Sequence, residues 1–325
     1  MRIIPPNSIV SASFSQNIAD MRARATIVSQ ESVTGQYADL TKHLGGRIGD
    51  AMISDKALLD IEHQRGLLGV REGRLDLTQQ SLAGVQERIS GLEVQMLTAL
   101  GVGDVPGKDL VSRDAKAALS DVFSALNSRH GDRFLFSGDE TATQPFSNTD
   151  QLLADIRQIA STAIDAADFE VQLDDYFQSP TGGWQTSIYG GTSLTSDQDS
   201  VTATDPAIVE IISGLAVMAI SGSADNLTLL TDFPEIVRES AERIGTGTSA
   251  LVNLRADVGI IQERVAKAKE ALDTEETILN SVHNNIVGRD QYDAASELKQ
   301  LEASLEAAYV LTSRLSNLSL LNFLR

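Results

Sequence analysis

Closely spaced carboxylates are the side chains in this sequence that could most readily bind a hard cation. Carboxylate oxygens are the preferred protein ligands of Ca²⁺. The spacing found here matches no known calcium loop, so we predict a solvated acidic surface and no metal site. The acidic pairs are Asp139 with Glu140, Asp174 with Asp175, and Asp197 with Asp199.

The histidines and cysteines give no metal-binding pattern either. Zinc-binding histidines commonly lie four residues apart on one helix, next to an acidic residue, and the four histidines here do not. Cysteine is absent, which excludes disulfides, thiolate metal sites and a cysteine nucleophile. We predict surface or packing roles for His43, His63, His130 and His283; folding could still bring His63 close to another helix, which leaves a metal site open there.

A glycine-rich stretch, Gly101–Asp109 (GVGDVPGKD), superficially resembles a phosphate-binding loop. Val102 stands where the motif needs its first glycine, and Asp109 follows Lys108 where Ser or Thr must reach magnesium. We therefore predict a turn between two helices. No G-x-S-x-G nucleophile motif is present, and the sequence predicts neither an enzyme nor a cofactor.

Aromatic residues in the middle of the chain allow two interpretations, a carbohydrate platform or a small core. They are Tyr176, Phe177, Trp184 and Tyr189. Aromatic residues make up only 5% of the chain, and large aromatic side chains dominate the energetics of small cores. We predict that these four form a core.

The charge balance argues against a nucleic-acid partner. The 325 residues carry 45 acidic and 26 basic side chains, for a net charge of −19, whereas binding to a phosphate backbone depends on Lys and Arg. The longest apolar run, around Leu215–Ile220, is far too short to span a bilayer. Met1–Val10 lacks the apolar stretch of a cleavable signal. We expect no membrane partner, and export, if it occurs, by a route that reads no standard signal.

Two long heptad patterns predict an antiparallel coiled-coil rod made by both halves of the chain. The companion column of the first pattern is polar near Ser54 and apolar near Leu100, so packing should tighten toward Leu100. A third helix, Lys108–Arg129, should turn back along the rod and stop near Gly131. The first seam contains Ser54, Ile61, Leu68, Leu75, Leu82, Ile89 and Met96; the second contains Val237, Ile244, Leu251, Val258, Val265, Leu272, Leu279 and Ile286.

The two ends of the chain predict a second helix pair, with apolar residues in excess of what one pair can cover. An exposed apolar helix face usually marks an association surface. We expect these ends to be loose in the monomer and to become ordered on assembly. The predicted assembly interface comprises Phe14, Ile18, Met21, Leu301, Leu305, Leu315, Leu318, Leu321, Phe323 and Leu324.

The middle of the chain differs in composition. Residues 134–235 contain 16 acidic residues and one basic residue, Arg157. Helical patterns flank a Gly-, Ser- and Thr-rich segment, Gly182–Thr204, that predicts strands. A short hairpin is predicted within Asp132–Phe146, around the turn signal Ser137–Asp139. The fold class is therefore mainly α, with a long antiparallel coiled-coil rod and a small α+β insertion. The predicted domains are 1–45 with 286–325, 46–146 with 233–285, and 147–232.

Three segments resemble the bacterial flagellin superfamily. Gln30–Gly35 (QESVTG) is similar to the turn after its first helix, and Arg133–Phe146 (RFLFSGDETATQPF) to a segment of its hook-filament junction members. The C-terminal helix of the family resembles Asp290–Ala308 (DQYDAASELKQLEASLEAA) followed by Leu318–Arg325 (LSLLNFLR). Tyr37–Ser54 lacks the acidic-acidic-Pro-Ala-Gly run of typical filament flagellins, which favours a junction member.

The resemblance implies a secreted structural protein of the flagellum, exported through the flagellar type III apparatus and located at the hook-filament junction. Its implied partners are copies of itself, a neighbouring hook-associated protein, the filament-side flagellin and an export chaperone. A filament flagellin is the alternative within the family. A coiled-coil adhesin or secretion-needle component would share the rod and the acidic region, but would not need Arg133–Phe146. An acidic metal-binding or lyase-like enzyme would need a converging site that the acidic pairs do not supply.

Overall fold

The protein is mainly helical. The computed structural model describes residues 6–197 and 199–323, and the side chains of residues 12–197 and 199–314. The helices are α1 (Pro6–Thr34), α2 (Leu40–Leu44), α3 (Ile48–Ile89), α4 (Leu92–Val102), α5 (Val105–Leu126), α6 (Asp150–Thr162), α7 (Ala166–Gln178), α8 (Pro206–Ile220), α9 (Thr228–Asp232), α10 (Pro234–Val287) and α11 (Gln291–Phe323). Short helical turns lie at Gly45–Arg47, Trp184–Ile188 and Ser223–Asp225. The predicted mainly α fold class is confirmed.

The chain divides into two compact units. Unit 1 contains residues 1–65 and 270–325, and unit 2 contains residues 66–269. Helices α3 and α10 contribute to both units, because the divisions fall after Arg65 and after Lys269.

In unit 2, α3 and α10 run antiparallel, as the two heptad patterns predict. Asp76 accepts a hydrogen bond from Gln262 at 2.7 Å, and Glu72 pairs with Lys269 at 2.6 Å. The Arg255 Nε donates to the side chain of Gln79 at 3.1 Å. As the residue number rises from 72 to 79 on α3, the residue number of the partner on α10 falls from 269 to 255, as expected for an antiparallel pair.

The core of unit 2 is built on these seams. Leu75, Leu82, Val258 and Val265 are buried in one cluster that also contains residues of α5 and α6 to α9. Helix α8 is buried on nearly every side from Ile211 to Ile220. The segment that the sequence marks as an insertion therefore supplies much of this core.

The first predicted rod helix is interrupted. Helix α3 ends at Ile89, and Gly91, at a φ of 82°, precedes α4. Glycine adopts this left-handed backbone without the steric cost of a Cβ. The seam residues Ile89 and Met96 on either side of the break are both buried, so the heptad pattern predicts burial correctly but misses the turn.

The β-structure is smaller than predicted. Among the described residues the strands are β1 (Arg129–His130) and β2 (Arg133–Phe134), which pair antiparallel. Their turn lies at residues 131–132, with Gly131 at a φ of 61°. The chain also turns at Ser137–Asp139, where Gly138 has a φ of 63°, but the strand pair lies before this turn and not around it as predicted. Helix α5 ends at Leu126, earlier than the predicted stop.

The predicted strands at Gly182–Thr204 are also wrong for the described residues there, which form a helical turn and irregular backbone. Buried side chains and isolated backbone hydrogen bonds hold this segment in place, instead of the regular hydrogen bonds between strands. Gly190 N–H donates to the Pro145 carbonyl, and Ala203 N–H donates to the Phe136 carbonyl at 3.1 Å. These isolated hydrogen bonds fasten the segment to the loop after β2.

In unit 1, α1 pairs with α11, as predicted for the chain ends. Arg24 binds Glu297 through its Nε at 2.9 Å, and Arg22 donates to the hydroxyl of Tyr309. Helices α3 and α10 also meet in this unit, where Arg65 binds Asp273 at 2.6 Å. Unit 1 therefore contains two helix pairs.

Candidate assembly surface

The N-terminal residues of the predicted assembly interface pack within the α1–α11 pair. Ile18 is buried, and Phe14 and Met21 are half-buried. On α11, Leu301 and Leu305 are half-buried. These five side chains therefore have contacts inside the subunit, and only part of each remains accessible.

The other five residues of the predicted interface lie outside the described side chains. Leu315, Leu318, Leu321 and Phe323 belong to α11, but their side chains lie outside the described part of the chain. Leu324 lies outside the described residues altogether.

The outer faces of the terminal helices carry further apolar side chains. Val33 on α1 is 79% exposed. On α11, Tyr309, Val310 and Leu311 follow one another and are 41%, 48% and 50% exposed. The sequence pattern places Leu311 on the packed stripe with Leu305 and Ala308, whereas the structure leaves half of it open.

Helices α3 and α10 contribute a second set of exposed apolar residues to unit 1. Met52, Ile53 and Leu59 on α3 are 66%, 71% and 64% exposed. On α10, Ile278 and Val282 are 59% and 44% exposed. Residues seven or four apart share one helix face, so Met52 lies above Leu59, and Ile278 above Val282.

The heptad seams do not predict this second set, because its residues lie outside the seam positions. The sequence does contain a sign of these exposed residues. In unit 1 the companion columns of the two seams carry polar residues, such as Gln64 and Glu275, while apolar residues occupy neighbouring positions. A two-helix pair covers one stripe on each helix. Apolar residues beyond that stripe face outward.

The phenylalanine-rich segment that resembles flagellar junction proteins forms part of a buried aromatic cluster in unit 2. The Phe146 ring stacks on Phe123 with centroids 4.3 Å apart and lies 5.3 Å from Trp184. The Tyr189 hydroxyl donates to the Phe136 carbonyl at 2.8 Å. Burial raises the pKa of Tyr189 well above its usual value.

This arrangement decides between the two interpretations of the central aromatics. Phe177, Trp184 and Tyr189 are buried, and Tyr176 is half-buried with its hydroxyl bonded to Asp155 at 2.7 Å. The predicted aromatic core is confirmed, because none of these four side chains is exposed.

The acidic pairs are used in contacts within unit 2. Asp197 binds Arg74 at 2.5 Å, and Asp199 binds Arg71. Asp139 accepts hydrogen bonds from the backbone and hydroxyl of Ser196, at 2.7 and 2.9 Å. Within residues 6–197 and 199–323, no group of three or more acidic, His or Cys side chains is arranged to hold a metal ion.

Arg243 of α10 lies at the centre of a cluster of three carboxylates. It binds Glu170 at 2.6 Å and Asp174 at 2.8 Å, both on α7, and reaches Glu210 of α8 at 3.5 Å. Burial raises the pKa of Glu170 despite this pairing, and the nearby Glu239 adds to the effect. The cluster fastens α7 and α8 to α10.

The glycine-rich stretch is a turn between helices, as predicted. Gly103, at a φ of 69°, ends α4, and Asp104 precedes α5. Asp109 accepts from the Ser223 backbone at 2.7 Å and from its hydroxyl, and these hydrogen bonds lower the pKa of Asp109. The carboxylate would repel a phosphate at the place where a nucleotide would sit.

The histidines occupy separate places in the fold. His43 stacks on Tyr37 with ring centroids 3.6 Å apart, and His283 lies 3.4 Å from Asp55. His63 is exposed on α3, and His130 belongs to β1.

No described helix combines the length and apolar character needed to cross a membrane.

Comparison with known proteins finds a family match for the C-terminal part of the chain. Residues 242–324 match the family described as the bacterial flagellin C-terminal helical region. No curated protein matches the sequence significantly.

Two solved structures of flagellar proteins are similar to this chain. The crystal structure of Bacillus cereus FlgL has 12% sequence identity and a TM-score of 0.43, and the match covers 74% of this chain and 97% of that chain. A protein described as a flagellar hook-associated protein of Vibrio parahaemolyticus has 11% identity and a TM-score of 0.37, and the match covers 87% and 98%. The match over residues 242–324, which spans most of α10 and α11, supports the resemblance found in the C-terminal segment: this part of the chain is similar to the C-terminal helical region of bacterial flagellins.

Proposed function

We propose that this protein is a structural component of the bacterial flagellum that joins the hook to the filament, as hook-associated protein 3 does. The observation that carries the proposal is the exposed apolar surface of unit 1, on a chain whose C-terminal helices match flagellins. Monomeric proteins rarely leave large apolar side chains grouped on one surface without a partner.

Assembly would use the two outward faces of unit 1. Met52, Ile53 and Leu59 of α3 would meet a neighbouring subunit, while the α1–α11 pair would contribute Val33 and Tyr309. Contacts between two different surfaces of identical subunits build rings when they close and helical arrays when they do not. We expect a single ring at the junction, with copies of the same chain as lateral neighbours.

The remaining partners follow from a position between two different structures. A hook-associated protein would contact the ring on one side and the filament flagellin on the other, and an export chaperone would hold the apolar ends before assembly. We expect no catalytic activity and no cofactor. The residues Leu315, Leu318, Leu321, Phe323 and Leu324 remain part of the proposed assembly interface.

The experiment is to delete the gene in its host and to label flagella with an antibody against this chain. Hooks without filaments in the deletion strain, together with label confined to the hook-filament boundary of wild-type flagella, are expected. Label along the whole filament would instead make the protein a filament flagellin. Normal flagella without label would contradict a flagellar role.

A truncation tests the tail in the same strain. Removing Leu318–Arg325 should leave the rest of the chain folded but prevent its incorporation into flagella. The full-length chain expressed from the same plasmid is the matched control. Incorporation of the truncated chain at the wild-type level would remove the tail from the assembly interface.

A further inference from the structure

The methionines of this chain differ in their access to water. Met96 of α4 and Met218 of α8 are fully buried in the core of unit 2. Met52 of α3, in unit 1, is 66% exposed. Met21 is half-buried on α1, and Met1, the fifth methionine of the sequence, lies outside the described residues. Among the side chains that the structure describes, Met52 is therefore the methionine most open to a reagent in solution.

The position of Met52 on α3 leaves its thioether uncovered. Long side chains on a helix point toward the N-terminus and lie over the preceding turn. For Met52 that turn contains Gly49, where a Cβ would meet no atom within 4 Å apart from its chain neighbours and the helix backbone. Ile48, four residues before Met52, is itself 37% exposed. A small oxidant can therefore reach the Met52 sulfur from water.

The neighbours of Met52 on α3 make the chemical state of its sulfur important. Ile53 and Leu59 are 71% and 64% exposed, so Met52 belongs to the apolar surface of unit 1. A thioether is apolar and adaptable, which suits contact with aliphatic side chains. A sulfoxide carries a polar oxygen on the same sulfur atom, and burying a polar group without a hydrogen-bond donor is costly. Oxidation of Met52 would therefore place a polar group within an apolar contact.

We propose that Met52 is a site of reversible oxidation by peroxides, and that its sulfoxide form prevents the free subunit from assembling. With hydrogen peroxide, one oxygen atom passes to the Met52 sulfur and the O–O bond breaks. The thioether is oxidised to the sulfoxide, and the peroxide is reduced to water. Methionine sulfoxide reductases reverse this modification. The effect on assembly rests on the proposed function, whereas the selective oxidation of Met52 does not.

The oxidation itself is tested by peptide mass spectrometry after the folded full chain has been treated with hydrogen peroxide. We expect Met52 to be oxidised at least about tenfold faster than Met96 and Met218, because susceptibility follows exposure. In denaturant the three residues should react at similar rates, which controls for the local sequence. Oxidation of Met52 as slow as that of Met96 in the folded chain would overturn the proposal.

The effect on assembly is tested with two purified chains. Both carry Met21→Leu, because Met21 lies on a chain end that we expect to be loose in the monomer and therefore open to oxidation. One chain keeps Met52, and its matched control also carries Met52→Leu, which stays apolar but cannot be oxidised. Each chain is treated with hydrogen peroxide, freed of the reagent and added to cells of the deletion strain, and antibody label on the hooks is counted.

For each chain, the label after treatment is compared with the label of the same chain before treatment. The label should fall about tenfold for the chain that keeps Met52, recover after incubation with methionine sulfoxide reductases, and stay constant for the Met52→Leu control. A constant label with Met52 present, or an equal fall in the control, would overturn the effect on assembly.

Failure of the proposed function gives a different result. If neither chain labelled the hooks before treatment, the proposed function would be contradicted, and the effect of oxidation on assembly would fall with it. The relative oxidation rates of Met52, Met96 and Met218 are measured on the free chain, so they test the modification site independently of that outcome.

Discussion

Helices α3 and α10 are packed differently in the two units. In unit 2 their seam residues Leu82 and Val258 are almost inaccessible, because α5 and α8 belong to the same buried cluster. In unit 1 the seam continues with Ile61 buried, but Leu279 is only half-buried, and Met52 and Leu59 face outward. The additional helices of unit 2 cover apolar side chains that the α3–α10 pair alone would leave exposed. The apolar surface that unit 1 leaves open is therefore available to other molecules.

The largest effect should follow from a charge in the unit 2 seam. Leu82→Asp buries a carboxylate with no cationic partner in the cluster, and we expect it to destabilise unit 2 by more than about 4 kcal/mol. Chemical denaturation followed by the fluorescence of Trp184, the single tryptophan, measures this. Leu59→Asp replaces an exposed leucine of the same helix in unit 1; it is the control and should shift the transition little. If the two variants lowered the free energy of unfolding equally, the proposed difference in packing between the two units would be contradicted.

Removing a ring from the aromatic cluster should have the next largest effect. Phe146→Ala opens a cavity between Phe123 and Trp184, and such truncations cost about 3–5 kcal/mol. The emission of Trp184 should also shift to longer wavelength as water enters. Phe134→Ala is the matched control, since Phe134 is half-buried in the same segment. If both variants unfold at the same denaturant concentration, the cluster does not stabilise unit 2.

A smaller effect should appear in the pH dependence of unit 2. Folding raises the pKa of Glu170 above its ordinary value, because the carboxyl is largely buried. Its contribution to stability is therefore fully present below the ordinary pKa and is lost as the pH rises through the raised value. Glu170→Gln cannot titrate, so the stability of the variant relative to wild type should increase from pH 4 to pH 7.

Thermal unfolding of both proteins across that range is the measurement. Asp155→Asn, on the neighbouring helix α6, serves as the control variant, because the pKa of Glu170 should not depend on it. A stability difference between Glu170→Gln and wild type that is independent of pH would show that Glu170 does not titrate in this range.

The fold was largely predictable where one repeating pattern governs it. The seam residues from Leu75 to Met96 and from Val237 to Val265 are buried as the heptads predict. The break at Gly91 was missed because the hydrophobic column continues across it. The strands at Gly182–Thr204 were wrong because turn residues gave a strand signal, whereas tertiary contacts determine that segment.

The candidate site was predictable only in part. The terminal stripes that contain Ile18 and Leu305 were visible, because they have helical periodicity. The exposed Met52 and Ile53 were missed, since exposure depends on which helices are absent around them. An ion pair joins Glu31 to Arg289, and no local pattern connects residues so distant in sequence.

Incorporation of a surface variant into flagella tests the central claim most directly. Met52, Ile53 and Leu59 would be replaced together by glutamine in the full chain, and the folded state would be checked by circular dichroism and Trp184 fluorescence. We predict a melting temperature close to that of wild type, with the variant absent from isolated flagella. Incorporation at the wild-type level by the folded variant would contradict the assignment of unit 1 as the assembly surface.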